Sequence, residues 1–600
     1  MPLYHRSVAS SPQPPSTTMD TSGLSGVANT SDMKMPEKDF HDHVAQPGLP
    51  EGGDGKPTSF AEYVHWATLR RQVEAADSTV VHSKGFGVVF AKFGKEKEHG
   101  TDVEVHEANE ANESDDLRGM SEHDVELLNA RRALRQAGWA TVFYLVTCDI
   151  LGPFNAPFAI ASIGLTPGIL LYILFGAFAF LFGAMLCKIF CRLDSVRFPI
   201  KTYGDLGYVI FGPAMRHLAS LLQTVQLIIN VGIICLSNGQ SLSQLVVGGG
   251  HSICFTVCIL IWALFGMVLG QVRSLQNFSI VANASVWLNL LIIFTSMGFV
   301  ANSPPNFAAA QSAASFGTAV SYTGPIQVLS INPIPVFAQV NGVFNMVFAY
   351  GGAMIFPEIM AEMRRPRDFI KGMAIAQVLI FCCYLMYGIF VYCFQGQYTL
   401  ALAYQGVSKY SWQSVGNALA MITGAIAAGL YGNIGFKIFY INIIEGLFGG
   451  PAFMSVKGRI IWTVLIPVYW AIAFVIGTGV PAIGALSGLI AAVCIFQFTY
   501  TFPPLFMLGL DMQLDAMTED EAFTTPGVTP KRIDTWRDLS RWKRGFFSGG
   551  LKRVAFKAAN LLFFIAGVAT AGLGMWATGT DLKEVIAAGA ASSFGCAAPV

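Results

Sequence analysis

From Trp139 onward the chain is a succession of apolar segments, each about 20 residues long, joined by short polar connections. A helix of that length spans the roughly 30 Å of a bilayer's hydrocarbon core, where every backbone N–H and C=O must be satisfied without water. A chain built this way folds as a bundle of membrane-spanning helices. The segments fall near 139–164, 168–190, 217–240, 253–270, 278–300, 340–363, 370–394, 415–446, 460–478, 482–508 and 554–578. They predict an all-α membrane protein with about eleven transmembrane helices. Composition agrees, since 53% of the 600 residues are hydrophobic and 13% are charged, against about a quarter charged in a soluble domain.

The 38 Lys and Arg balance the 38 Asp and Glu, which argues against a nucleic-acid or broadly acidic partner. The local distribution of charge is more informative. One set of alternating connections carries Lys188, Arg192, Arg197, Lys201 and Arg216, then Arg273, then Arg364, Arg365, Arg367 and Lys371, then Lys457 and Arg459. The other set has Lys409 and, past the last span, Lys583. Basic residues near span ends stay in the cytoplasm, so the amino terminus is expected inside and the carboxyl terminus outside. Residues 1–135 read as a cytoplasmic, mostly disordered tail, rich in Ser, Pro, Gly and acidic residues. Residues 136–510 read as a ten-helix core, 511–553 as a cytoplasmic loop, 554–578 as an eleventh helix and 579–600 as a short non-cytoplasmic tail. No signal-peptide pattern opens the chain, so the first span is expected to direct insertion. The sequons at Asn29, Asn112, Asn277 and Asn283 then lie inside or within the membrane and should be unmodified. Cys148, Cys187, Cys191, Cys235, Cys254, Cys258, Cys382, Cys383 and Cys494 lie in or beside apolar runs and read as small core residues. No cysteine spacing fits zinc, and neither metal nor cofactor is expected.

Two spans are interrupted in a way the others are not. The first reads Asp149-Ile-Leu151-Gly152-Pro153-Phe154-Asn155-Ala-Pro157, and the sixth Phe348-Ala349-Tyr350-Gly351-Gly352. Proline removes a backbone donor and a glycine pair has little preference for helix, so both spans are expected to break there. Broken backbone at membrane depth survives only where protein or a water-filled cavity satisfies it. The breaks also occupy the first position of two successive five-span sets, as in an inverted repeat. Asn155 can cap the restarting helix with Pro157 in its first turn. The positive end of that helix would attract a carboxylate, and the carbonyls near Phe348 and Ala349 an ammonium. Either motif alone reads more readily as an ordinary packing feature; their matched positions reverse that reading in favour of the cavity.

Ionisable groups within spans are costly and usually functional. Asp149 lies one turn before the first break, while Lys437 lies in the eighth span with Asn433 and Tyr440 on its face. An Asp149–Lys437 pair reads either as a proton-coupling switch, Asn433 beside it, or as a permanent structural pair. Gln223, Gln226 and Asn230 form a polar stripe in the third span that lines a path or joins helices. Glu358 and Glu362, close to Arg364, Arg365 and Arg367, read as a cytoplasmic-end ion-pair cluster.

The stretch from Phe348 to Ile370, FAYGGAMIFPEIMAEMRRPRDFI, resembles the sixth-span signature of the amino acid/auxin permease family, within the amino acid–polyamine–organocation superfamily. CDILGPFNAPFAIASIGLTPGI from Cys148, YGDLG from Tyr203 and RALRQAGW from Arg132 resemble its fungal neutral amino-acid, or methyltryptophan-resistance, branch. The resemblance covers about residues 130–580. It implies a LeuT-like five-plus-five inverted repeat with one extra helix, alternating access and proton coupling, with Na+ as the alternative ion. It also implies a substrate site made of Leu151, Gly152, Phe154 and Asn155 from span one and Phe348, Ala349, Tyr350 and Gly351 from span six. The expectation is a secondary active transporter of neutral, aliphatic or aromatic, amino acids, in the plasma membrane ahead of the vacuolar one. The alternative is an amino-acid receptor that binds without net transport. No phosphate-binding loop, HExxH or GxSxG pattern occurs, so neither an ATP-driven pump nor an enzyme is expected.

Overall fold

A computed structural model describes residues 59–76, 138–195, 197–272, 278–445, 448–521, 531–534, 538–587 and 594–598, except 151, 314, 315, 317–320, 452, 454 and 481. The described residues form helices joined by turns, with one isolated bridge, Pro305 to Val407. The first helix is α1 (Phe60–Ala76). The first apolar segment divides into α2 (Trp139–Ile150), a 3-10 turn at Pro153–Asn155 and α3 (Ala156–Ile163). Next come α4 (Leu165–Leu193), the short α5 (Tyr203–Phe211), α6 (Pro213–Gly248), α7 (Phe255–Leu269), α8 (Phe278–Ala301) and α9 (Phe307–Ala313). The second divided segment is α10 (Val336–Ala349), a 3-10 turn at Ala353–Ile355 and α11 (Phe356–Ala361). It is followed by α12 (Phe369–Gln395), α13 (Tyr410–Phe439), α14 (Val456–Gly479) and α15 (Ile483–Ile490). Two π turns, at Ala491–Ile495 and Gln497–Thr501, lead into α16 (Phe502–Met517), and α17 (Leu539–Phe547) and α18 (Leu551–Ala587) complete the series.

Local sequence explains the helix ends. Thr202 and Asp205 form a reciprocal capping box that starts α5. Prolines occupy the first turns of α3, α6, α11 and α16, where a missing N–H does no harm. Among the described residues nine helices are long and apolar enough to cross a membrane, and Trp139–Cys148 and Phe255–Leu269 are shorter apolar helices. The first is short because the break at residues 151–155 divides its span.

The divided segments lie side by side at the centre. Helix α10 packs on α3, α15 and α18, and α12 packs on α2, α3 and α4. The apolar stretch of 336–361 is 78% buried and that of 483–517 is 83% buried, against 28% for α4 and for α18. The peripheral helices present Leu170, Ile173 and Leu174, or Val464, Val468, Ile472 and Val475, at helical spacing on exposed faces, the surface lipid would cover.

Both polar ends are tied down. At the basic-loop end α1 docks on the 194–200 connection, with Arg71 reaching the buried Asp194 carboxylate at 3.3 Å and its carbonyl at 3.2 Å. Tyr63 packs on Phe198 and the Arg197 guanidinium lies over Trp66. The expected tail therefore contains one docked helix; its other residues lie outside the described ones. The 511–553 loop is held by Arg541 between Asp520 (2.7 Å) and Asp534 (3.1 Å), and by Asp515 with Lys557 of α18. At the opposite end Cys254 and Cys596 form a disulfide, which corrects the reading of Cys254 as a core residue. Cys254 caps α7 just outside its apolar run, and the carboxyl-terminal segment 594–598 returns to it: Phe255 N–H donates to the Cys596 carbonyl and the Thr256 hydroxyl to that of Gly595. The two cysteines are 342 residues apart, so spacing gave no hint of the pair.

Candidate functional site

Where the two divided segments meet, the bundle encloses a cavity of about 200 Å3, room for roughly a dozen water-sized volumes and so for one small metabolite. Gly152, Phe154 and Asn155 line it from the first break, and Phe348, Ala349 and Gly351 from the second. Asn230 of α6, Ser285 and Asn289 of α8, Tyr384 of α12, Thr423 and Tyr431 of α13, and Ser487 of α15 complete a polar wall. Apolar Ile233, Ile234, Leu402, Ile483 and Ile495 also line the cavity. None of the described lining residues is Asp, Glu, Lys, Arg or His.

The backbone at the breaks is held by side chains from neighbouring helices. The Tyr384 hydroxyl donates to the Ala349 carbonyl at 2.9 Å and accepts from the Gly152 N–H at 3.5 Å, so one residue of α12 spans both breaks. The Phe348 carbonyl accepts from the Gly351 N–H. Gly351 is needed for close approach: a Cβ there would sit 2.9 Å from both the Ile495 side chain and the Phe348 carbonyl. Ile495 belongs to the first π turn, and such wide turns recur at functional sites. Asn155 occupies the N-cap position of α3, as expected, yet makes no capping bond; its amide donates to Asn345 Oδ1 at 3.4 Å. The cavity therefore lies between the start of α3 and the end of α10, the positive and negative ends of two helices. Phe154 meets Tyr404 edge to face at 5.2 Å, which narrows one wall.

Of the eight substrate-site residues expected, six line this cavity. Tyr350 turns away to α4, where its hydroxyl donates to the Tyr172 carbonyl at 3.2 Å, because the last turn of α10 points it opposite to Phe348. Leu151 lies outside the described residues. Of the α6 stripe, Asn230 lines the cavity and its Oδ1 has no hydrogen-bond partner among the described residues. Gln223 instead donates to Glu358 at 2.9 Å and to the Met354 carbonyl at 3.2 Å. Gln226 is buried with neither amide atom partnered among the described residues. The Asp149 side chain lies outside the described residues, Asn433 donates to the Val272 carbonyl, and Lys437 lies within electrostatic reach of Glu362. Glu358 departs from the expected ion-pair cluster: Gln223 holds one carboxylate oxygen, and the other is buried with no partner among the described residues. Tyr384, Asn289, Thr423, Tyr431 and Ser487 were missed; the signal available was a polar side chain inside an apolar run.

A family profile described as "Transmembrane amino acid transporter protein" matches residues 135–514. The chain is 23% identical over 478 residues to an "N amino acid transport system protein" of Neurospora crassa, covering 78% of this chain and 89% of that one. It is 21% identical over 166 residues to a "Transmembrane transporter" of Fusarium pseudograminearum, covering 27% of this chain and 34% of that one. A solved structure of a Na+-coupled sialic acid symporter in a substrate-bound, outward-open state superposes with a TM-score of 0.41 at 12% identity, covering 74% of this chain and 91% of that one.

Proposed function

The chain belongs to the transmembrane amino acid transporter family, and from that premise we propose that it is a secondary active carrier of neutral amino acids, driven by protons. The observation that carries the specificity is the cavity itself. It offers opposite helix ends to the two charges of a zwitterion and, among the described residues, no ionised side chain to pair with a charged substrate side chain. The apolar wall of Ile233, Ile234, Ile483 and Ile495 suits an aliphatic or aromatic side chain. Alternating access about the two breaks moves the substrate, and a proton gradient supplies the energy. The amino terminus faces the cytoplasm. Supporting this orientation, the Cys254–Cys596 disulfide lies at the end opposite the basic loops, where an oxidising compartment would form it.

Purified protein in liposomes, given a panel of radiolabelled amino acids with and without an inward proton gradient, tests the reading. Gradient-stimulated accumulation of Leu-, Phe- or Ala-type substrates, with Lys, Arg, Asp and Glu excluded, is expected. Binding without accumulation would make the chain a receptor, and preference for a charged amino acid would overturn the neutral specificity.

A further inference from the structure

A chain of buried amides runs from the cavity to a carboxylate on α18, beyond the residues matched by the family profile. Asn155 and Ser487, both lining the cavity, donate to Asn345 Oδ1 at 3.4 Å and 2.6 Å. Asn345 Nδ2 donates to the Asn341 carbonyl at 2.9 Å, to the Gly484 carbonyl at 3.0 Å and onward to the Asn341 Oδ1 at 3.4 Å. Asn341 Nδ2 donates to Asp581 Oδ2 at 2.8 Å. Asn155, Asn341 and Asn345 are buried. Helix α15 leaves room for the chain: a Cβ on Gly488 would lie 1.8 Å from Asn341 Oδ1, so a side chain there would displace the amide that touches Asp581.

No cation offsets Asp581 among the described residues. Its own helix supplies Glu584 nearby and Lys583 beside it. The facing helices α10 and α15 contain no ionisable residue. The π turns contribute Cys494 and Tyr500, whose hydroxyl is engaged with the Phe175 carbonyl. The remaining ionisable groups packed on α18, Lys188 of α4 over the Phe556 ring and those in α16 and α17, gather at its other end, where Asp515 pairs with Lys557.

We infer that Asp581 is the proton-binding group of the transport cycle, and that its charge state is read at the cavity through Asn341 and Asn345. This rests on the proton-driven reading proposed above. The chain of hydrogen bonds is directional. Ionised Asp581 is a pure acceptor and takes the Asn341 N–H in a charge-assisted bond; protonated, it gains an O–H donor on one oxygen and keeps only a weaker, neutral acceptor for that N–H. The Asn341 amide then turns to offer its oxygen, or the pair separates. Either change removes the Asn341 Oδ1 that Asn345 Nδ2 meets at 3.4 Å and shifts the amide whose Oδ1 Ser487 and Asn155 share. Asp581 lies towards the disulfide end of α18, which in the proposed orientation faces the proton-rich side, so protons reach it from outside while the substrate site responds.

The test uses wild type, Asp581→Asn and Gly488→Ala in liposomes and in detergent. Substrate counterflow without a gradient reports the carrier itself, gradient-driven uptake reports coupling, and equilibrium binding at mildly acidic and at neutral pH reports the link to the cavity. Wild type is expected to bind about fivefold or more differently at the two pH values, the scale of a typical coupling free energy. Asp581→Asn is expected to keep counterflow and lose both gradient stimulation and pH-dependent binding. Gly488→Ala, which leaves the carboxyl in place, is expected to weaken the pH dependence of binding. Gradient-driven uptake and pH-dependent binding at wild-type level in Asp581→Asn would overturn the inference and return the coupling role to Asp149. Wild-type counterflow with no gradient response would sink the proton-driven reading and this inference together, whereas loss of counterflow from wild type itself would sink the carrier reading.

Discussion

The Tyr384 hydroxyl lies between two interrupted helices and satisfies a free backbone group on each, the Gly152 N–H and the Ala349 carbonyl. Removing it leaves two polar groups without their protein partner beside the cavity, a change of about 1–3 kcal/mol. Tyr384→Phe keeps the ring and its contacts with Tyr172 and Tyr350, so the folded protein should be recovered in normal amount. Substrate KM in the liposome assay should rise roughly tenfold, equivalent to about 1.4 kcal/mol. An unchanged KM would show that water replaces the hydroxyl without loss. At this scale the sequence was a partial guide. Gly152, Asn155 and Gly351 were legible because proline, glycine and capping preferences act within a few residues. Tyr384 was not, because its partners are distant in the chain and a tyrosine in an apolar helix resembles any buried ring.

At the scale of elements, the breaks in α2–α3 and α10–α11 follow directly from Gly152-Pro153 and Gly351-Gly352, whereas the docking of α1 does not follow from its own sequence. Its amphipathicity is weak, and its hold is specific: Arg71 meets Asp194, a carboxylate with no exposed surface that also accepts the Ile200 N–H. Arg71→Ala would take the guanidinium away from that buried carboxylate, which typically costs about 3 kcal/mol, and should release α1 from the 194–200 connection. Limited proteolysis on the basic-loop side should then cut within Phe60–Ala76 faster than in wild type. Equal cleavage rates would mean that Trp66 and Tyr63 hold the helix without the ion pair.

For the whole molecule, the Cys254–Cys596 disulfide closes the bundle by fastening the carboxyl-terminal segment to the start of α7. A cross-link of this kind stabilises by about 2–4 kcal/mol. Wild type should therefore lose thermal stability on reduction, while the double variant Cys254→Ser, Cys596→Ser should start at the lower midpoint and ignore reductant. A midpoint unaffected by reductant in wild type would show the segment is held by its hydrogen bonds alone. The sequence by itself determined that the chain is a helical membrane bundle, where most spans fall and which two of them break, because span length, hydropathy and the backbone limits of glycine and proline are local properties. The tertiary structure decided which residues meet. It turned Tyr350 out of the cavity, brought Tyr384 and Ser487 into it, drew Glu358 to Gln223 instead of the arginines, joined Cys254 to Cys596, and connected Asp581 to Asn155 through Asn341 and Asn345. Such contacts depend on how helices rotate and pack against one another, and buried polar groups choose partners across helices that no local pattern in one chain records.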